Sequence, residues 1–140
     1  MKKILTALAL SIALASISTL ADDLDQFQGK WSVKKTGDQG AYTQFLEFTK
    51  NKWKFKIVGD DKSVVLVAEG TIEIKEAGGV KVAKLGNIRG GSSESDLNDT
   101  GDDRTAVYTF RDGKMILATN FDKERDNEKP TLDVYSKAKE

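Results

Sequence analysis

Hydrophobic and polar residues alternate through most of the chain beyond residue 29. In segment 50–57, Trp53, Phe55 and Ile57 take every second position, and lysines take most of the positions between them. A repeat of two places the apolar side chains on one face of a β-strand and the lysines on the other. The same repeat predicts further strands at residues 30–35, 42–49, 63–68, 71–76, 80–88, 104–111, 114–121 and 131–137.

Short turns rich in glycine and aspartate separate these segments. Such residues supply the positive φ angles of tight hairpins, so successive strands are predicted to be antiparallel neighbours. A meander of this size must close on itself or leave unpaired edges. The predicted fold is therefore all-β, an up-and-down antiparallel β-barrel of about eight strands with a short helical turn at 22–28. Gly70 is expected to bend or bulge one long strand over 63–76, so the strand number is eight or nine.

The first 21 residues have the three parts of a Sec export signal. They are a basic start at Lys2 and Lys3, an apolar stretch over 4–15, and the small-residue exit Thr19-Leu20-Ala21. A membrane-spanning helix needs roughly 20 consecutive apolar residues, and serines interrupt this stretch. We therefore predict cleavage after Ala21, no membrane anchor afterwards, and a soluble periplasmic or extracellular protein. Residues 22–140 then form a single domain.

The residue composition narrows the chemistry of this domain. The 22 basic and 22 acidic residues balance, and losing Lys2 and Lys3 leaves a small acidic excess, which gives no attraction to nucleic acid. The chain has no cysteine and no histidine, which excludes disulfides, lipid attachment at a cysteine, thiolate nucleophiles and Ser-His-Asp catalysis. We expect no enzyme activity, no cofactor and a monomer. Carboxylates in strand segments are expected to face solvent: Glu47, Glu69, Glu73 and Asp133.

The lysines of segment 50–57 face away from its aromatic residues. They therefore cannot neutralise a nucleic acid whose bases stack on Trp53 or Phe55. We interpret them as a solvated face that discourages edge pairing between molecules. Contact with an anionic surface polymer remains an alternative.

Segment 89–103 is predicted to be irregular and contains many acidic residues. Asp96, Asn98, Thr100 and Asp102 occupy alternating positions of a calcium-binding loop, in which oxygen ligands surround a hard cation. The twelfth position of such a loop is a bidentate glutamate, and here it is Val107. We therefore predict no metal site and interpret the segment as a mobile acidic loop. If the loop did bind calcium, these four residues would be the candidate ligands.

Residues 27–31 place a Gly-x-Trp motif, Gly29 and Trp31, at the start of the first predicted strand. This motif resembles the opening signature of the lipocalin and calycin barrels. The chain resembles more closely a planctomycete-type group of small bacterial exported lipocalin-like domains of unassigned function, through residues 24–31, 107–115 and 129–131. The resemblance implies a barrel-end motif, with Trp31 across the closed end beneath the N-terminal turn. Lipocalins usually cover this tryptophan with an arginine of the last strand, where this chain has Lys137 and Lys139.

The barrel interior is the candidate ligand-binding site. The alternation predicts that it is lined by Leu46, Phe48, Trp53, Phe55, Ile72, Ile74, Tyr108 and Phe110. An eight-stranded barrel holds either packed side chains or one small ligand, and strands of about six residues favour packed side chains.

Two functions remain open. The resemblance favours a protein that binds a small apolar ligand in the barrel interior. The alternative is a packed-core interaction module or inhibitor that binds a protein or an envelope polymer through its surface loops. An internal cavity of several hundred Å³ would favour the first function, and a solid core would exclude it.

Overall fold

The computed structural model describes residues 20–126 and 128–139. Within them the chain forms one helix, α1 (Leu20–Phe27), followed by nine strands. The strands are β1 (Gly29–Gly37), β2 (Gly40–Thr49), β3 (Lys52–Gly59), β4 (Val64–Ala77), β5 (Val80–Gly91), β6 (Asn98–Asp99), β7 (Arg104–Arg111), β8 (Lys114–Thr119) and β9 (Thr131–Lys137). The predicted export signal lies outside the described residues except for Leu20 and Ala21, which begin α1.

Eight of the strands form a closed antiparallel barrel in up-and-down order. Each strand from β1 to β5 pairs with the next, β5 pairs with β7, and β7, β8 and β9 continue the series. Pairing of β9 with β1 closes the barrel, and the short β6 lies against the end of β5. The predicted all-β barrel of about eight strands with a short N-terminal helix is confirmed.

Gly70 bends the long fourth strand. β4 is one element of 14 residues, and its ladder with β5 shifts register between Glu69 and Thr71. A Cβ atom on Gly70 would lie 2.5 Å from the carbonyl oxygen of Gly86 and 2.8 Å from the ring of Trp53. The predicted irregularity at this glycine is confirmed, because only a residue without a side chain permits this approach.

α1 closes one end of the barrel. The ring of Phe27 is fully buried, with its centroid 5.1 Å from that of Phe48, 4.8 Å from that of Tyr108 and 4.9 Å from that of Phe110. Trp31 is buried at the start of β1, and its Nε1 donates a 2.7 Å hydrogen bond to the carbonyl oxygen of Phe27. The helix is therefore held by aromatic packing and by the indole of the first strand.

Lys137 of the last strand covers Trp31. Its Nζ lies 4.2 Å from the centroid of the indole ring, within the range of a cation–π contact, and also donates to the carbonyl oxygen of Gln28. Gly29, between α1 and β1, has a φ of 102°, and a Cβ atom there would lie 2.9 Å from the same Nζ. This position therefore favours glycine for both its conformation and its lack of a side chain.

A buried carboxylate also joins α1 to the barrel. Asp23 Oδ2 accepts a 2.7 Å hydrogen bond from the hydroxyl of Tyr108 and lies 2.8 Å from Nζ of Lys81. Burial alone would raise the pKa of Asp23, but the hydrogen bonds from Lys81 and Tyr108 outweigh it and lower the pKa. Because Lys81 lies in β5 and Tyr108 in β7, this one side chain connects the helix to two strands.

Candidate ligand-binding site

The barrel contains an open cavity of about 600 Å³ above the ring of Phe27. Its mouth lies at the opposite end from α1, where the β1–β2 and β3–β4 turns meet the segments 92–103, 120–126 and 128–130. The expectation that side chains fill the interior is wrong for two reasons. The wall strands are longer than the six residues on which that expectation rests: β4 has 14 residues, as one long strand over 63–76 requires, and β5 has 12 and extends past the predicted end at residue 88. Small residues also line the cavity, at Ala68, Ala83 and Ala106.

Five of the eight predicted interior residues line this cavity, and three lie elsewhere in the core. The five are Leu46, Phe48, Trp53, Phe55 and Ile72. Tyr108 and Phe110 pack against Phe27 at the closed end, and Ile74 packs against the same core. Alternation along the strands predicts which residues face the barrel interior. It does not show that Phe27 of α1 lies between a packed layer at the closed end and an open cavity above it.

Above its floor the cavity has two chemically different sides. One side, formed by β3, β4 and β5, is apolar and is called here the apolar half-wall; it includes Ile57, Leu66 and Ile88. The other side, formed by β1, β2, β7, β8 and β9, is called the polar half-wall. Its polar lining residues are Lys35, Tyr42, Gln44, Arg104, Thr119, Asp133 and Tyr135, and Ala106 and Leu117 line the same side. A molecule in the cavity therefore meets hydrocarbon on one side and hydrogen-bonding groups on the other.

Asp133 points into the barrel, so the prediction that it faces solvent is wrong. Its side chain is 12% exposed, whereas its neighbours Leu132 and Val134 are 68% and 48% exposed. The last strand thus turns its polar residues inward and its apolar residues outward. A search for apolar inward residues misses this arrangement, but the burial of Tyr135 places Asp133, two residues away, on the same face.

An ion pair bridges the seam between the first and last strands. In the described part of both strands, β1 and β9 share two residue pairs, Trp31 with Lys137 and Ser32 with Ser136. The same register continued toward the mouth would place Lys35 opposite Asp133. Their side chains meet instead of the backbones, with Lys35 Nζ 2.8 Å from Asp133 Oδ1. The polar half-wall is therefore joined here by charge rather than by a β-ladder.

Tyr135 supplies a neutral hydroxyl below this ion pair. Its OH donates a 3.1 Å hydrogen bond to Oε1 of Gln44. Burial, with smaller contributions from the charge of Asp133 and from Tyr42, raises the pKa of Tyr135. The tyrosine therefore remains protonated at neutral pH and acts as a hydrogen-bond donor.

Arg104 closes the side of the mouth near β7. Its guanidinium donates two hydrogen bonds to the carboxylate of Glu128, at 2.8 and 3.2 Å, and a third to Oδ1 of Asn120 at 3.0 Å. A bidentate pair of this kind has a defined geometry. Asn120 and Glu128 are thereby held at the edge of the cavity.

Arg125 connects the two long segments at the mouth. Its side chain is 11% exposed and lies 2.9 Å from Asp102 and 2.8 Å from Asp122. Burial would raise the pKa of Asp122, but hydrogen bonds from Arg125 and from the Thr105 amide outweigh it and lower the pKa to about 2. This network joins residues 102–103 to residues 122–125.

The side chains of three of the four candidate calcium ligands have separate partners, and the fourth, Asn98, is exposed. Thr100 Oγ1 donates to the carbonyl oxygen of Ile88, and Asp102 is engaged by Arg104, Lys123 and Arg125. Asp96 lies near Ser92, and Asn98 is exposed in β6. Within residues 20–126 and 128–139, no group of three or more acidic side chains is arranged to hold a metal ion.

Comparison of the chain with protein-family models, with curated proteins and with solved structures finds no match. Among the helical residues described by the structure, none form a segment long and apolar enough to cross a membrane.

Proposed function

We propose that this protein is an exported, lipocalin-like barrel that binds one small, largely apolar ligand in its interior. The cavity of about 600 Å³ carries the proposal, because small-molecule sites typically measure about 300–1,000 Å³ and are lined mainly by apolar side chains. A solid core would have supported the alternative of an interaction module that acts through its loops.

The closed end is consistent with the same proposal. Trp31 lies beneath α1 and under the charge of Lys137, as the resemblance to lipocalins leads one to expect. With that end closed by Phe27, the ligand enters from the mouth and its apolar part comes to rest against Trp53 and Phe48. The sequence features of residues 1–21 support export to the periplasm or the exterior.

The expected affinity follows from the area that a ligand can bury. A ligand that buries about 300 Å² of apolar surface gains about 7 kcal/mol from transfer out of water. The loss of translational and rotational freedom on association reduces this gain. We therefore expect dissociation constants in the micromolar range or weaker for simple apolar probes.

Titration with N-phenyl-1-naphthylamine, a neutral apolar fluorophore, tests the proposal. We expect saturable binding with energy transfer from Trp53, which lines the cavity. Ala68→Phe fills the cavity from β4 and should weaken binding about tenfold or more, as expected from excluding the probe sterically. Ala118→Phe places the same substitution on the outer face of β8 and should leave binding unchanged. Equal binding by both variants, or no saturable binding by the wild type, would refute an interior site.

A further inference from the structure

We infer that the ligand carries an uncharged polar group with both a hydrogen-bond donor and an acceptor, such as a primary amide, and that the Lys35–Asp133 pair receives it. The inference rests on the proposed function and specifies the chemical class of ligand for the same cavity. Three features support it: the distribution of polar residues around the cavity, the bonding capacity of the ion pair, and the charges around the mouth.

Most of the polar strand residues lie on one side of the cavity. Lys35 and Asp133 belong to the polar half-wall, and β4 and β5 on the opposite side of the barrel present Leu66 and Ile88. A wholly apolar ligand that reached this level would cover both charged groups without replacing their contacts with water, which is unfavourable. The upper part of the cavity therefore suits a ligand that is apolar at its deep end and along one side, and polar toward β1 and β9.

The ion pair retains unused hydrogen-bonding capacity. An ammonium group has three donor hydrogens, and a carboxylate has about four acceptor sites. The contact between Nζ and Oδ1, at 2.8 Å, uses one of each. The side chains of Lys35 and Asp133 are 25% and 12% exposed, and both line the cavity. An amide can accept from Nζ with its carbonyl oxygen and donate to the carboxylate with its nitrogen, so it matches both partners at once.

A charged head group fits this pair less well. A carboxylate attracted by Lys35 is repelled by Asp133, and an ammonium group has the opposite difficulty. The attraction and the repulsion are similar in size because Nζ and Oδ1 are only 2.8 Å apart. Either ion would also lose hydration on entering the cavity. The second charged pair, Arg104 with Glu128, is bidentate and is likewise compensated. Lys129 also lines the cavity, but it is exposed at the mouth rather than placed beside the Lys35–Asp133 pair.

The loops around the mouth also disfavour anions. Acidic residues outnumber basic residues in the segments that surround the opening, at 37–40, 60–63, 92–103, 120–126 and 128–130. An approaching carboxylate or sulfonate is therefore repelled before it reaches the cavity. This effect slows the entry of an anion, and the ion pair then lowers its affinity.

Competition between three decyl compounds tests the inference. Decanamide, decanoate and decylamine share a nine- or ten-carbon chain and differ in head group, so each is used to displace N-phenyl-1-naphthylamine from the wild-type protein at pH 7. We expect decanamide to compete at about tenfold lower concentration than either ion, the factor that one or two net hydrogen bonds provide. Decanoate or decylamine competing as well as decanamide would overturn the inference.

Removal of the ion pair supplies the second part of the test. In the double variant Lys35→Met with Asp133→Leu, decanamide should compete about tenfold less well than with the wild type, because its two hydrogen-bond partners are gone, whereas N-phenyl-1-naphthylamine should bind no more weakly. The matched control replaces an ion pair on the outer wall, Glu73→Leu with Lys75→Met, whose atoms lie 3.6 Å apart, and should retain the wild-type affinity for decanamide. An unchanged affinity for decanamide after removal of the Lys35–Asp133 pair would contradict its role.

The two proposals fail in different ways. If the apolar probe binds but the head groups rank equally, the cavity binds ligands and only the assignment of the polar group is wrong. If the probe does not bind, the interior site itself is refuted, and with it the ligand class. The wild-type ranking decides the inference even if the double variant does not fold.

Discussion

Replacing Phe27 by alanine tests whether α1 seals the barrel. The ring is fully buried among three other aromatic rings. An aromatic residue buries about 150–250 Å², so truncation at Cβ removes roughly 100–150 Å² of apolar contact, or about 3 kcal/mol. The hole that remains adds to this, and Phe→Ala substitutions in cores cost about 3–5 kcal/mol in total. Because Phe27 borders an open cavity, we expect a value near the lower end.

Guanidinium unfolding followed by far-ultraviolet circular dichroism measures this loss. We expect Phe27→Ala to lower the free energy of unfolding by about 3 kcal/mol while the denaturant slope stays the same. Gln26→Ala, at an exposed position of the same helix, serves as control and should change stability by about 0.5 kcal/mol or less. A loss of under about 1 kcal/mol for Phe27→Ala would show that the helix does not close the barrel, and the floor of the proposed ligand site would then be wrong.

Three further predictions concern the barrel wall and the mouth. In thermal melts, Gly70→Ala should destabilise the protein by about 2 kcal/mol or more through overpacking, because the new Cβ atom would lie 2.5 Å from a backbone oxygen. The control Gly86→Ala, whose Cβ atom would have its nearest neighbour at 3.7 Å, should be tolerated. The pKa of Asp122 in the folded protein is about 2, below its usual 3.8. The carboxylate therefore contributes about 2 kcal/mol to the free energy of unfolding above pH 4, and this contribution is lost as the pH falls toward 2. Asp122→Asn should remove this part of the acid dependence of unfolding, and an unchanged acid dependence would contradict the role of the Asp122–Arg125 pair. The described ladder across the β1–β9 seam ends at Ser32. In hydrogen exchange, the backbone amides of residues 33–37 and 131–135 that face this seam should therefore exchange faster than the β1 amides bonded to β2. Equal protection would show that the seam is closed by backbone hydrogen bonds.

The barrel follows from local features of the sequence. The alternation in 50–57 and the glycine-containing turns predict antiparallel neighbours, and closure follows because open edges are unfavourable. The turn at Asp112 and Gly113 shows the local reason, since both residues have the positive φ angles, 53° and 72°, that a tight hairpin needs. Gly70 is also predictable, because a glycine within a strand marks a bend or a close approach.

The empty interior is not predictable in the same way. Alternation shows which residues face inward, but the space between them depends on the lengths of the strands and on how far α1 enters the barrel. Phe27 lies just before the Gly-x-Trp motif, and nothing in its immediate sequence shows that its ring packs between Phe48 and Tyr108. That contact depends on residues far apart in the chain, and it determines that three predicted interior residues belong to the core and five to the cavity.

Asp133 shows what a stricter use of alternation can reveal. A polar residue in a strand is usually taken to face solvent, because most charged residues are exposed. Here the strand carries Leu132 and Val134 on its outer face, so the inner face must be polar at the positions between and beside them. An inverted pattern of this kind, next to a barrel seam, places a charge on the cavity wall, and Lys35 then supplies the partner that makes the charge tolerable. The inversion is thus a sequence signal for the polar half-wall, and it bears on the chemistry of the proposed ligand rather than on the fold.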